Sequence, residues 1–291
     1  MNANSALLLN QRADVASRAL PALLVEAERI AATVIQGIHG RKRAGPGESF
    51  WQYRPYAFGD STARIDWRKS ARSAHVYIRE NEWEAANTLW LWASPSKSMD
   101  FKSHLSNTTK RDRAYLVTLA LATLAVRAQE RVALMGSPHR AGHARGALGP
   151  MATWLLQSEG GPLPAPQELQ KFSSAVLISD FFDTPKDIET AVRGLAYRGV
   201  SGHIVQIIDP AEEALPYVGR VEFRDVDGPL KFLAGKTENL REAYGEKFRQ
   251  QRDALRKIAS SVQWSFTLHH TDQSPAKLLM SLHGLISGAP K

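Results

Sequence analysis

The sequence predicts an α/β fold of the doubly wound type, with an N-terminal helical and irregular portion. Three observations carry this. From Thr88 onward, candidate strands and helices alternate along the chain. The run Ser174–Ile178 is continuously apolar, as expected of a strand covered on both faces. The 291 residues are enough for one large or two modest domains with a sizeable core.

The elements follow in order. Residues 1–18 are polar. Leu20 to Ile38 carries Leu24, Ala27, Ile30, Ala31, Val34 and Ile35 at helical spacing. Gly37, Gly40, Gly45 and Gly47 break that helix, and Arg41, Lys42 and Arg43 form a basic cluster among them. The cluster reads either as an anion contact or as a solvated loop. Thr88–Ala93 is a strand. Thr109–Glu130 is a helix that Thr109 can cap, with Asp112 three residues on as a weaker capping box. Arg131–Met135 is a short strand. Residues 136–167 are rich in Gly and Pro and read as a long loop with one short helix around Trp154–Gln157. Pro185–Arg198 is a helix with proline acceptable in its first turn. His203–Ile208 is a buried strand, Arg220–Phe223 a later strand, and Glu238–Ser260 a long charged helix. Gln263–Leu268 is the last strand, followed by a helix from Ser274 to about Leu285. The expected division is residues 1–83, packing on a core formed by 84–291.

Composition narrows the function classes. The chain has no cysteine, which excludes disulfides and cysteine metal sites and suits a reducing cytoplasm, the expected location. Its formal charge of +8 favours acidic partners (nucleic acid, an anionic membrane or an acidic protein face), or serves solubility alone. The apolar run Ala114 to Ala128 falls short of the roughly 18–20 residues a membrane span needs. No signal peptide is read at the N-terminus, so membrane association is expected only through a partner. There is no H-E-x-x-H, P-loop or G-x-S-x-G motif. His139 and His143 lie four apart, but among glycines that would not hold a helix. With no constellation of base and nucleophile, an enzyme is the least supported class.

The densest signal is YRPYAFGDSTARIDWRKSAR, Tyr53 to Arg72. Arg54, Arg64, Arg68 and Arg72 alternate with Asp60 and Asp66, and Tyr53, Tyr56 and Trp67 supply apolar mass. Bidentate arginine–carboxylate pairs can pin an irregular segment into an internal lattice. The same residues can instead form a recognition surface for an acidic or phosphorylated partner. Basic and aromatic interleaving also suits nucleic acid, although the aspartates would repel phosphate. A second segment, SPSKSM, Ser94 to Met99, follows the strand at Thr88–Ala93.

The two segments together resemble the family of domain of unknown function 58, the MoxR-associated proteins with a von Willebrand factor A-like domain. Arg54, Tyr56, Gly59, Asp60, Arg64, Ile65, Asp66, Trp67, Ser70, Ala71 and Arg72 fill its first motif, and Gly37, His39 and Gly47 match the stretch before it. The resemblance implies a von Willebrand factor A-like core, and with it a metal-ion-dependent adhesion site at the carboxyl ends of the strands. Such sites read D-x-S-x-S, completed by a threonine and a second aspartate, an oxygen-rich set that hard divalent cations favour. Here Ser96 and Ser98 match the serines and Asp180 the later aspartate. Ser94 stands at the first aspartate position, Lys97 adds a positive charge, and no threonine is placed. The expectation is a degenerate site that holds Mg²⁺ weakly and no other cofactor. Turn and helix capping is the alternative role for the two serines; for Asp180 it is capping or pairing with an arginine. The resemblance implies a non-enzymatic adaptor of a MoxR-type AAA+ ATPase, with Lys97 and Arg41–Arg43 as docking cations. A basic nucleic-acid-binding protein is the alternative.

Overall fold

The computed structural model describes residues 21–35, 50–57, 60, 62, 65–73, 75–81, 88–171, 173–197, 199–224, 231–234 and 238–286. Two compact units divide the chain: Met1–Ile38 with Asn87–Lys291, and His39–Ala86. The N-terminal helix therefore groups with the sheet, not with the motif segment that follows it, which differs from the expected boundary at 83/84.

The larger unit is built on a five-stranded sheet in which every neighbour is parallel. Its strands are β3 (Thr88–Ala93), β4 (Arg131–Leu134), β5 (Ser174–Ser179), β6 (Ser201–Ile208) and β9 (Ser265–His270), in the spatial order β4-β3-β5-β6-β9. The order reverses between β3 and β5, so a crevice is expected at the carboxyl ends of those two strands. Alternation along the strands assigns the two faces. Leu89, Leu91 and Ala93 of β3, Val176 and Ile178 of β5, and Val205 and Ile207 of β6 pack with one set of helices. That set is α1 (residues 21–35), α3 (Lys110–Arg127), α4 (Leu148–Gln157) and α8 (Pro275–Ile286). Trp92, Ala175, Leu177 and Ile204 face the other layer, with α5 (Pro185–Ala196) and α7 (Glu238–Ser261).

Helix α3 lies deepest. Every residue from Ala114 to Val126 is buried, as in a helix enclosed on all sides. Thr109 caps it, accepting from the Asp112 amide at 2.9 Å. Helix α4 begins six residues before the expected Trp154. Pro150 falls in its first turn, where a missing N–H costs nothing, so the Gly/Pro richness that read as loop is compatible with helix. A five-residue helix, α6 (Pro210–Ala214), follows β6 and was not anticipated. The strand expected at Arg220–Phe223 is β7 (Val221–Arg224), paired antiparallel with β8 (Lys231–Ala234). At the sheet's far side Gly202 of β6 lies against Trp264. A Cβ there would sit 2.2 Å from the indole ring, which is fixed by a 2.9 Å bond from Nε1 to the Val200 carbonyl.

The smaller unit holds an antiparallel pair, β1 (Phe50–Pro55) and β2 (Tyr77–Asn81), with α2 (Trp67–Ser70) between them. Among the described residues of both units, no helix is long and apolar enough to cross a membrane.

Candidate functional site

The carboxyl ends of β3, β5 and β6 carry the polar groups that the sequence reading singled out. After β3 the chain turns through Ser94, whose amide bonds to the Ile178 carbonyl at 2.9 Å and so ties this loop to β5. Ser94 is fully buried, and its hydroxyl donates to the Pro162 carbonyl at 3.4 Å. Ser96 caps a single 3₁₀ turn, Lys97–Asp100, accepting from the Ser98 amide; the two serine hydroxyls lie 3.1 Å apart. Arg111 of α3 fastens the turn. It pairs with Asp100 and donates to the carbonyls of Pro95 and Ser96. Lys97 is exposed.

Asp180 follows β5 and is 2% exposed. Its partner is a lysine, where the alternative to a metal-site role is a helix cap or an arginine partner. The Nζ of Lys110, fully buried, lies 2.8 Å from Asp180 Oδ2 and 2.5 Å from Glu212 Oε1 of α6. The rings of Phe182 and Phe101 approach the ammonium at 4.9 and 5.8 Å, within cation–π range. The Asp180 carbonyl accepts from Gln206 Nε2 at 2.9 Å. Asp209, at the end of β6, is also fully buried. It accepts from the amide and hydroxyl of Ser103 and from the Ala211 amide, and forms a capping box with Glu212. Burial raises the Glu212 carboxyl above its ordinary range, against the pull of Lys110; the Asp180 charge adds to the rise. The backbone is strained just beyond Asp180, where Phe181 adopts φ +51°. Gln251 of α7 braces that turn by donating to the carbonyls of Phe181 and Asp183.

These residues do not fit a divalent cation of the adhesion-site type. The acidic ligand is absent at Ser94, whose hydroxyl is spent on a carbonyl, and Asp180 is already engaged by an ammonium. Among the described residues, no group of three His, Cys, Asp or Glu side chains is placed to hold a metal.

The Tyr53–Arg72 motif lies in the smaller unit. Arg54 pairs with Asp60 at 2.8 Å, and the other Asp60 oxygen accepts from the Ala57 amide. Asp66 caps α2 through the Lys69 amide and accepts from the Tyr53 hydroxyl at 3.2 Å. Ser70 bridges the Asp66 carbonyl and the Tyr77 amide. Tyr53 and Tyr77 meet edge to face, with the Lys69 ammonium over both rings. Tyr56 bonds to the Val76 carbonyl through its amide. Arg68 and Arg72 are exposed, and so is Trp67, at 66%. Gly59 and Arg64 lie outside the described residues, as do Arg41, Lys42 and Arg43.

Sequence reasoning missed Lys110, Glu212 and Ser103. One signal pointed to Lys110: a cation in the first turn of a helix opposes the macrodipole, so something else must hold it there. The spacing of Asp209 and Glu212 is a readable capping box.

Fold and site together define an α/β protein with a parallel sheet between two helical layers and carboxylates that are held internally at its carboxyl edge. The chain belongs to the family described as "Protein of unknown function DUF58", whose profile matches residues 52–254. Uncharacterized protein Rv1480 of Mycobacterium tuberculosis and uncharacterized protein Mb1516 of Mycobacterium bovis are each 28% identical to it over 214 residues. That match covers 67% of this chain and 65% of either relative, so the chain spans just under two thirds of their length. Among solved structures, conserved hypothetical protein BatB from Bacteroides thetaiotaomicron is similar at a TM-score of 0.42 and 12% identity, covering 70% of this chain and all of that one. An aerotolerance-related membrane protein from Bacteroides fragilis gives 0.41 and 13%, over 69% of this chain and 98% of that one.

Proposed function

We propose that this protein is a non-enzymatic interaction module of von Willebrand factor A-like type. It docks an acidic protein surface at the carboxyl edge of its sheet without a metal ion. One observation carries the reading: the edge spends its acids internally and leaves cations and apolar groups exposed. Asp180, Asp209 and Glu212 are held by Lys110, Ser103 and backbone amides, and Asp100 by Arg111. Lys97, Lys102, Leu105 and Phe182 are exposed on the loops after β3 and β5. Exposed lysines and apolar side chains on these loops suit a partner with acidic groups, in line with the chain's charge of +8. A MoxR-type AAA+ ATPase is the partner class that the family resemblance suggests, with the module as adaptor for remodelling, assembly or metal insertion in the cytoplasm.

The test is binding of the purified protein to an immobilised MoxR-type ATPase from the same genome. Lys97→Glu with Lys102→Glu should weaken binding at least tenfold, and binding should fall as salt rises, because exposed charges are screened over about 8–10 Å. EDTA should have no effect once nucleotide-bound Mg²⁺ is controlled. Unchanged binding in the charge-reversed variant contradicts the reading. Nucleic-acid binding with a steep salt slope would favour the alternative instead.

A further inference from the structure

Lys110 is placed where neither helix formation nor solvation accounts for it. It opens α3, where the macrodipole disfavours a cation, and it is fully buried. Its ammonium lies between a carboxylate from the end of β5 and one from the first turn of α6, 70 and 102 residues away in the chain. Those two carboxylates are close enough to repel, since both lie within hydrogen-bond distance of the same ammonium, at 2.8 and 2.5 Å. The Ser179 hydroxyl is a further oxygen beside them, donating to Asp180 Oδ1 at 3.4 Å. A buried carboxylate and a second one only 14% exposed, with a hydroxyl beside them, form an environment that needs a cation. Here the chain supplies it from its own side chain, under the ring of Phe182.

We propose that Lys110 is a tethered counter-ion, holding between Asp180 and Glu212 the position that a divalent cation would otherwise take. Removing the ammonium opens a latent oxygen-donor cation site. The docking reading draws its metal independence from this arrangement, but the inference stands or falls on the isolated protein, with no partner present.

The experiment is thermal unfolding of the full chain with EDTA and with millimolar Mn²⁺. The wild-type melting temperature should be indifferent to both. Lys110→Ala should melt roughly 10 °C lower, because the buried Asp180 and the largely buried Glu212 lose their counter-charge. Mn²⁺ should restore part of that loss, and adding Asp180→Asn should abolish the recovery. A wild-type response to Mn²⁺ that disappears in Asp180→Asn overturns the proposal. So does a Lys110→Ala variant that melts like the wild type or ignores Mn²⁺. Should Lys110→Ala fail to fold, the variant Lys110→Met with Asp180→Asn and Glu212→Gln decides. With all three charges removed it should fold and melt within a few degrees of the wild type. Failure of this variant to fold would show that the lysine is needed for its shape rather than its charge, which also overturns the proposal.

Discussion

The small unit and the carboxyl edge of the sheet use the same residue types in opposite ways. In the small unit, Arg54, Asp60 and Asp66 lie within thirteen positions of one another, and their contacts with other described residues are local: a cap, a turn and a half-exposed ion pair. At the carboxyl edge, Lys110, Asp180 and Glu212 are far apart in sequence and meet in the interior. Local charges remain in contact with water, and each contributes little. Charges brought together by the fold are desolvated, so removing one leaves its partner unpaid in a medium of low dielectric. The density of a motif in sequence is therefore no guide to its energetic weight.

Variants can break this contrast, starting with the largest effect. Asp180→Ala should destabilise the protein by about 3–5 kcal/mol, since it strips one carboxylate from a buried ammonium; urea unfolding would show it. Next comes acid. Burial lowers His203 and His269 from 6.5 to about 4. Both are neutral in the fold above that value, while the unfolded chain takes up protons below about 6.5. Stability should be constant above that pH and fall between it and about pH 4, by on the order of 3 kcal/mol per histidine. Glu212, whose carboxyl burial raises, acts in the opposite sense, so the histidine contribution is isolated by comparing slopes. His203→Asn and His269→Gln should each flatten the loss.

Smaller effects sharpen the comparison. Gly202→Ala should cost about 1–3 kcal/mol, because the added methyl meets the fixed Trp264 ring. In the small unit Asp66→Ala should cost about 1 kcal/mol, the value of a helix cap. Arg54→Ala should cost no more than about 0.2–1 kcal/mol, as befits a partly exposed pair. A loss of several kcal/mol in Asp66→Ala, read from the melting transition, would move the motif into the class of buried charge networks and erase the contrast.

How much of this was legible follows the same division. Strand β3 and the cap of α3 were readable to the residue. The apolar run of β5 announced a strand covered on both faces, and the helices α5 and α7 fell within two residues of expectation. The hairpin β1–β2 was not readable, because Tyr53, Arg54 and Pro55 show no alternation. The serines and Asp180 were legible as polar residues at strand ends, a position that topology makes chemical. Lys110 was not, since nothing local ties a lysine at a helix start to an aspartate 70 residues on. Only its conflict with the helix dipole marked it.

The most direct measurement is a double-mutant cycle between Lys110→Met and Asp180→Asn, read by urea unfolding. If Lys110 is the counter-charge of Asp180, the two changes should be coupled by about 2 kcal/mol or more, the double variant being far less damaged than the sum of the singles. Additivity to within about 0.5 kcal/mol would contradict the account.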